Sequence, residues 1–221
     1  MGAIDSLDLF GLDELLIFAF YFKNRERYRR VADIGANLGL HSIVLAKCGF
    51  EVDSYEPDPS HFEKLRRNLS LNGVSACNPY QKAVSDHEGT MEFVRVLGNT
   101  TSSHLAGAKS NPYGKLEKFE VIVTDIKAIS EKVDLLKIDA EGHEAVLLSS
   151  IADRTWENVD AFVEVGSPVN AKLIFSRFSD TNVNIFAQKL GWNKVRVFED
   201  MPTSYKEGGI FITTKSQMCW T

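Results

Sequence analysis

The chain has 221 residues, with 25 Lys and Arg against 30 Asp and Glu, a net charge of −5, 44% hydrophobic and 25% charged residues. At about 150 residues per domain this is one α/β-sized domain with an appendage. It is too apolar and too weakly charged for disorder, and mildly acidic where a nucleic-acid binder is basic. Cys48, Cys77 and Cys219 are odd in number and far apart. That pattern excludes a disulfide scaffold and predicts reduced thiols and a cytoplasmic setting.

The longest apolar run, Leu15 to Phe22, is too short for a bilayer, which takes about 20 residues. Asp13 and Glu14 precede it and Lys23, Arg25, Arg27, Arg29 and Arg30 follow. Acids first and bases last suit a helix dipole and not a signal peptide. The expectation is an amphipathic helix packed on the domain, with residues 1–30 as a helical cap and 31–221 as the main domain. The sharper alternative is a helix that docks on a membrane surface or in a homodimer.

Val31 to Ile34 reads as a buried strand ending at glycines, and Leu38 to Cys48 as a helix with Leu40, Ile43, Val44 and Ala46 at helical spacing. Glu51 to Tyr55 is a second strand. Ser60 to Leu71 is a helix with Ser60 as its N-cap and Asn72-Gly73 as its stop. Ala76 to Val84 reads as a third strand despite Pro79. Thr90 to Val96 and Glu117 to Val123 have no helix between them and predict an antiparallel pair. The segment 97–115 joins them, rich in Gly, Ser, Thr and Asn, and is a candidate lid. Val133 to Ile138, a helix over Gly142 to Ser150, and Val159 to Val165 continue the alternation. Asn170 to Phe178 and Asn182 to Leu190 read as helices stopped by Gly191. Lys194 to Phe198 and Gly209 to Thr213 read as an edge hairpin. The rhythm predicts an α/β sandwich on a mostly parallel sheet, whose ligands sit beyond the carboxyl ends of the strands.

The strand ends carry the chemistry. Asp33-Ile34-Gly35-Ala36-Asn37-Leu38-Gly39 follows the first strand. Its glycine spacing differs from the dinucleotide fingerprint, and an acid precedes the first glycine. A carboxylate there repels a pyrophosphate but suits a cationic or hydroxyl-bearing ligand, which points to S-adenosylmethionine. Glu56, after the second strand, stands 23 residues beyond Asp33, where an acid can clamp both ribose hydroxyls. Ala83 and Val84 could flank an adenine and Asp86 accept from its amine, although Asp86 equally suits a turn. Lys137-Ile138-Asp139-Ala140-Glu141-Gly142-His143-Glu144 clusters charge after the fourth strand. His143 is the natural proton acceptor near neutral pH, and Glu144 fits a helix N-terminus. Glu164 lies inside an apolar run and needs a partner or a function. Asp139, Glu141, His143 and Glu164 also offer hard ligands for Mg²⁺ or Mn²⁺, but no spacing among them is diagnostic, and no cysteine pair marks zinc.

The stretch VADIGANLGLHSIVLAKCGFEVDSYEPDPSHFEKLRRNLSLN, with AVSDHEGTMEF and DLLKIDAEGHEAVL, resembles the FkbM-type S-adenosylmethionine-dependent methyltransferases from about Val31 to Leu148. The resemblance implies a class I methyltransferase fold: a Rossmann-like seven-stranded, mostly parallel sheet with its last strand reversed and helices on both faces. It implies O-methylation of hydroxyls on sugars or secondary metabolites. By motif, Asp33, Gly35, Asn37, Gly39 and Glu56 are expected cofactor contacts, and Asp139, Glu141 and His143 lie at the reaction centre. We take Asp86, Ser102 and Asp139 as further cofactor contacts, with Thr101 and Ser103 beside Ser102, and His143, Asp139 and Glu141 as catalytic. The competing readings are a nicotinamide-dependent oxidoreductase and a non-catalytic cofactor-binding protein. The expected partner is a small-molecule or carbohydrate hydroxyl.

Overall fold

The computed structural model describes residues 11–97, 103–108 and 115–220. In chain order these form α1 (Leu12–Lys23), β1 (Arg30–Ile34), α2 (Leu40–Lys47), β2 (Glu51–Tyr55), α3 (Pro59–Leu71), β3 (Cys77–Tyr80) and β4 (Ala83–Ser85). There follow β5 (Gly89–Val96), β6 (His104–Leu105), β7 (Leu116–Asp125), α4 (Ile126–Ser130), β8 (Leu135–Ile138) and α5 (Glu144–Ser150). The chain finishes with β9 (Asp160–Glu164), α6 (Pro168–Phe178), β10 (Asn184–Ala187), β11 (Asn193–Lys194) and β12 (Gly209–Thr213).

The main sheet runs β11-β10-β12-β9-β8-β1-β2-β3. β3, β2, β1, β8 and β9 are parallel neighbours, and β12 is antiparallel to both β9 and β10. The sheet thus has eight strands where seven were expected, the extra one being the two-residue edge strand β11. β12, the last strand, is reversed, and so is β11, which is antiparallel to β10.

Both faces are covered, so the central strands bury successive residues to opposite sides. Ala32, Leu136, Ile138 and Ile210 share one apolar layer with Leu147 and Ile174 of α5 and α6. Val31, Leu135, Phe162 and Phe211 share the other with Phe20, Leu45 and Leu65 of α1, α2 and α3. α1 is therefore part of the second core. The Phe20 ring lies 4.8 Å from Phe162, 5.2 Å from Phe211 and 5.5 Å from Trp220, centroid to centroid.

A second sheet, β4-β7-β5-β6, holds the expected antiparallel pair, β5 with β7. It forms because the predicted third strand is two strands. β3 ends at Tyr80 on the edge of the main sheet, where Pro79 costs no ladder bond, and β4 restarts at Ala83 in the second sheet beside β7.

Three local expectations are overturned. Asp58, not Ser60, caps α3: its carboxylate accepts from the Ser60 and His61 backbone N–H groups at 2.7 and 3.3 Å, with Pro59 at the first helical position. Asn182 to Leu190 is not a helix. Ile185 and Ala187 bury on one face of β10 and Phe186 on the other, and a single 3₁₀ turn, Gln188–Leu190, follows. The last two strands are not a hairpin. β12 inserts between β9 and β10, and Phe198 belongs to a 3₁₀ turn. The apolar residues there serve either period, and tertiary pairing decides.

Replacing Phe20 with Ala should destabilise the protein by about 3–5 kcal/mol, because it empties the centre of this ring cluster. Leu12→Ala, at a position 73% exposed, should stay within about 0.5 kcal/mol. Urea unfolding of the two variants checks the contrast.

Candidate active site

The carboxyl ends of β1, β2 and β8 and the underside of the second sheet enclose a cleft with about 620 Å³ of empty space, counting the solvent at its mouth. Its floor and walls include Ile34, Gly35, Asn37, Tyr55, Glu56, Asp139 and Glu141. Phe93, Ser103, His104 and Leu105 of the second sheet and its loop roof it.

The β1 turn approaches β8 closely. Gly35 has φ +74, and a Cβ there would stand 1.8 Å from the Asp139 carbonyl oxygen. Glycine is required both for its conformation and for lack of space. Gly39, at φ +90, lets α2 begin against Leu65 of α3, where a Cβ would come within 2.4 Å of Cδ1. Asn37 and Glu141 adopt left-handed conformations at φ 51 and 50, on facing turns of the same cleft. Such conformations cost free energy in non-glycine residues and concentrate at functional sites.

Glu56 is 5% exposed and its carboxylate is bracketed by two backbone donors. The Asn37 N–H donates to Oε2 at 2.8 Å and the Asp58 N–H to Oε1 at 2.9 Å. Burial outweighs these donors and pushes its pKa up to about 7. His61 Nδ1 lies 3.9 Å from Oε1.

Asp33 is fully buried beneath the turn and is not among the cleft-lining residues. It accepts from the Ser42 hydroxyl at 2.5 Å and lies 3.4 Å from Lys137 Nζ. Lys137 Nζ also donates to the Gly35 carbonyl at 3.3 Å and stands 3.7 Å from Asp139 Oδ2. The surrounding carboxylates, Asp33 foremost, overcome burial and hold this ammonium above its ordinary pKa. Beyond the register Ile138↔Val163, Asp139 and Glu164 end adjacent strands. The charge of Asp139 is the main cause of a raised Glu164 pKa.

Glu144 organises the second turn. Its carboxylate accepts from the Ala140 N–H at 2.9 Å and the Gly142 N–H at 3.1 Å, and from the Asn170 side-chain amide. A Cβ at Gly142 would come within 2.6 Å of the Ala108 carbonyl, so the described part of the β6–β7 loop lies directly on this turn. His143 Nε2 is 2.8 Å from Ser85 Oγ, which also donates to Asp86 at 3.0 Å. Burial pushes the His143 pKa down against the opposing charge of Asp86.

The structure thus brings Gly35, Asn37, Glu56, Asp139 and Glu141 to one cleft. Gly39 and Asp33 stand behind it as supports. His143 and Asp86 lie beside it rather than in its lining, and Asp86 is exposed and paired with His87 Nδ1 at 2.6 Å. Thr101 and Ser102 lie outside the described residues, while Ser103 lines the cleft. Sequence reasoning missed His61, Phe93, His104 and Leu105. His61 falls in the first turn of a helix read only for its apolar face, and the others reach the cleft through a fold-back that no local period announces. Among the described residues no group of His, Cys, Asp and Glu is placed to hold a metal ion, and no helix is long and apolar enough to cross a membrane.

A glycine turn, a buried acid after β2 and an acid-rich turn after β8, all at strand carboxyl ends, define a ligand-binding α/β protein. The chain belongs to the methyltransferase FkbM domain family, whose model matches residues 33–183. Methyltransferase 1 of Beauveria bassiana is 26% identical over 156 residues, 60% of this chain and 62% of that protein. The hexuronic acid methyltransferase AglP of Haloferax volcanii is 22% identical over 158 residues, 72% of this chain and 64% of that protein. The chain therefore spans less than two thirds of either relative's length. The cofactor-bound structure of Rv0187 from MTB shares the fold, with a TM-score of 0.52 at 15% identity over 90% of this chain and 79% of that one. The architecture is an α/β fold built on a mixed sheet.

Gly35→Ala should cost several kcal/mol, because backbone meets backbone and no rotamer relieves the clash. Gly73→Ala, at φ +61 with nothing within 4 Å, should cost only about 1 kcal/mol. Chemical denaturation of both variants separates close approach from conformation alone.

Proposed function

We propose that the protein is an S-adenosylmethionine-dependent O-methyltransferase acting on a hydroxyl of a sugar or small secondary metabolite. The observation that carries this reading is the Glu56 carboxylate, held between the Asn37 and Asp58 N–H groups at the rim of an acid-lined cleft. The membership of the FkbM family supports methyl transfer, and the hexuronic acid named for the Haloferax relative supports a carbohydrate acceptor. The same membership weighs against a nicotinamide-dependent oxidoreductase.

The cleft fits this cofactor. A buried acid fixed by backbone donors can accept two ribose hydroxyls. Ile34, Val84 and Leu105 supply apolar walls for the base, and the glycine at position 35 leaves the room that a Cβ would fill. Asp139 and Glu141 line the same cleft and suit the methionine ammonium. Bound there, S-adenosylmethionine supplies a methyl group already activated on a sulfonium.

The chain's own task is then to position and to deprotonate. The loop carrying Ser103 and His104 excludes water, and close approach of the two reacting atoms supplies much of the acceleration. His143 is kept neutral at pH 7 by burial and accepts the hydroxyl proton, with Asp139 as the second candidate. If Ser85 Oγ donates to Asp86, His143 donates Nε2–H to Ser85 and keeps Nδ1 as its basic nitrogen.

Calorimetric titration with S-adenosylmethionine tests the reading; absence of binding would end it. Glu56→Ala should weaken binding by more than tenfold, roughly the effect of losing a charge-assisted pair of hydrogen bonds. Because Glu56 titrates near pH 7 when free and a diol favours its ionised form, binding should release protons. Affinity should therefore rise by roughly tenfold from pH 6 to pH 8. Glu56→Gln should flatten that profile. His143→Ala should keep cofactor affinity within about twofold while turnover on a sugar-hydroxyl panel falls by about 10²-fold or more. Unchanged turnover would remove His143 from the mechanism.

A further inference from the structure

Arg95 lies on β5 of the second sheet, outside the turns that carry the cleft acids, yet its guanidinium reaches the Glu56 turn. Nε and one terminal nitrogen chelate the two oxygens of Asp58 at 2.5 and 2.7 Å. Asp58 is fully buried, and its own backbone N–H is the donor that holds Glu56 Oε1. The other face of Arg95 is fixed by Glu117 at 2.7 Å and by the Phe119 ring, 4.8 Å from the guanidinium carbon. Phe119 packs on Phe93, which lines the cleft.

We infer that Arg95 is a positioning residue for the cofactor: by chelating Asp58 it sets the orientation and the charge of Glu56, and so links the seating of the second sheet to the ribose clamp. The inference rests on the reading of Glu56 given above. Two effects follow from one contact. Asp58 must keep its turn fixed for its N–H to meet Glu56, and the bidentate pair does this. Asp58 is also a carboxylate one residue removed from Glu56, and its bare charge would oppose ionisation of Glu56. Arg95 cancels it. The other groups facing Glu56 are the Asn37 N–H from the β1 turn, Lys137 from β8, His61 from α3, and Asp139 and Glu141 across the cleft. None of them pairs with both oxygens of Asp58. Such a pair, with Asp58 fully buried and Arg95 only 18% exposed, is costly to break because it leaves a buried charge behind.

The test is titration calorimetry of the full chain with S-adenosylmethionine between pH 6 and pH 9. Arg95→Gln should weaken binding by about fivefold or more at pH 7, and should raise the pH midpoint of binding by about half a unit, because Asp58 is left charged. Adding Asp58→Asn to Arg95→Gln removes that charge and should return the midpoint to the wild-type value. Arg95→Lys should keep the midpoint but bind more weakly, since an ammonium cannot chelate two oxygens in a plane. Glu117→Gln, which loosens Arg95 from its exposed partner only, should bind as the wild type does. A folded Arg95→Gln protein with wild-type affinity across the pH range overturns the inference. So does weakened binding with an unmoved midpoint, which would make Arg95 merely structural. Should Arg95→Gln fail to fold, wild-type affinity in Arg95→Lys overturns it instead. A wild-type protein that binds no S-adenosylmethionine sinks the cofactor reading itself, a different result from any of these.

Discussion

The ammonium of Lys137 is the contact on which the cleft depends. It sits in the sheet, 9% exposed, between the ends of β1 and β8. It engages Asp33, Asp139 and the Gly35 carbonyl together. Without it, Asp33 and the half-buried Asp139 at the ends of two parallel strands would set like charges against one another. With it, the β1 turn is drawn down onto β8 until Gly35 meets the Asp139 carbonyl. The cost of burying the cation is offset by that second carboxylate and by the carbonyl, and loss of any one partner would strand a buried charge. The two turns that line the cleft are therefore one electrostatic unit.

The roof is joined to this floor by different means. The second sheet begins after a two-residue link from β3 and ends where β7 runs directly into α4, so the chain tethers it at both ends. Elsewhere it is held by packing of Val84 in the main core, by the Ala108–Gly142 approach, and by the Arg95–Asp58 pair. The last two contacts fall on the two turns that carry the cleft acids. A sheet that closes over a site at its working residues can couple closure to their geometry, a coupling a roof packed elsewhere would lack.

The alternation of strand and helix was legible because parallel strands buried on both faces are uninterrupted apolar runs. Val31 to Ile34 and Leu135 to Ile138 could hardly be anything else. The floor of the site was legible for the same reason: its residues follow such runs directly, so Gly35, Asn37, Glu56, Asp139 and Glu141 could be placed by counting. What failed lay where period carries little information. Asn184–Ala187 is short enough to suit a helix or a strand, and only pairing with β12 decides. Asp33 was read as a ligand contact because an acid before a glycine turn stands out in sequence. Its partner, Lys137, lies 104 residues away and turns it inward. Arg95 carries no motif at all, and its importance follows from its reach to Asp58 at the start of α3.

The same pairs decide what the negative charge of the chain is for. Several acids near the cleft are already answered: Asp33 by Lys137, Asp58 by Arg95, Glu144 by two backbone N–H groups and an amide. Asp139 and Glu164 share one cation, Lys137, which also serves Asp33. The raised Glu164 pKa is the signature of that shortage. An arrangement short of positive charge at one point, beside a preformed turn, favours a ligand that brings a cation with it and disfavours a phosphate. The charge of −5 thus acts locally, through the few acids the fold leaves under-compensated at one rim of its sheet.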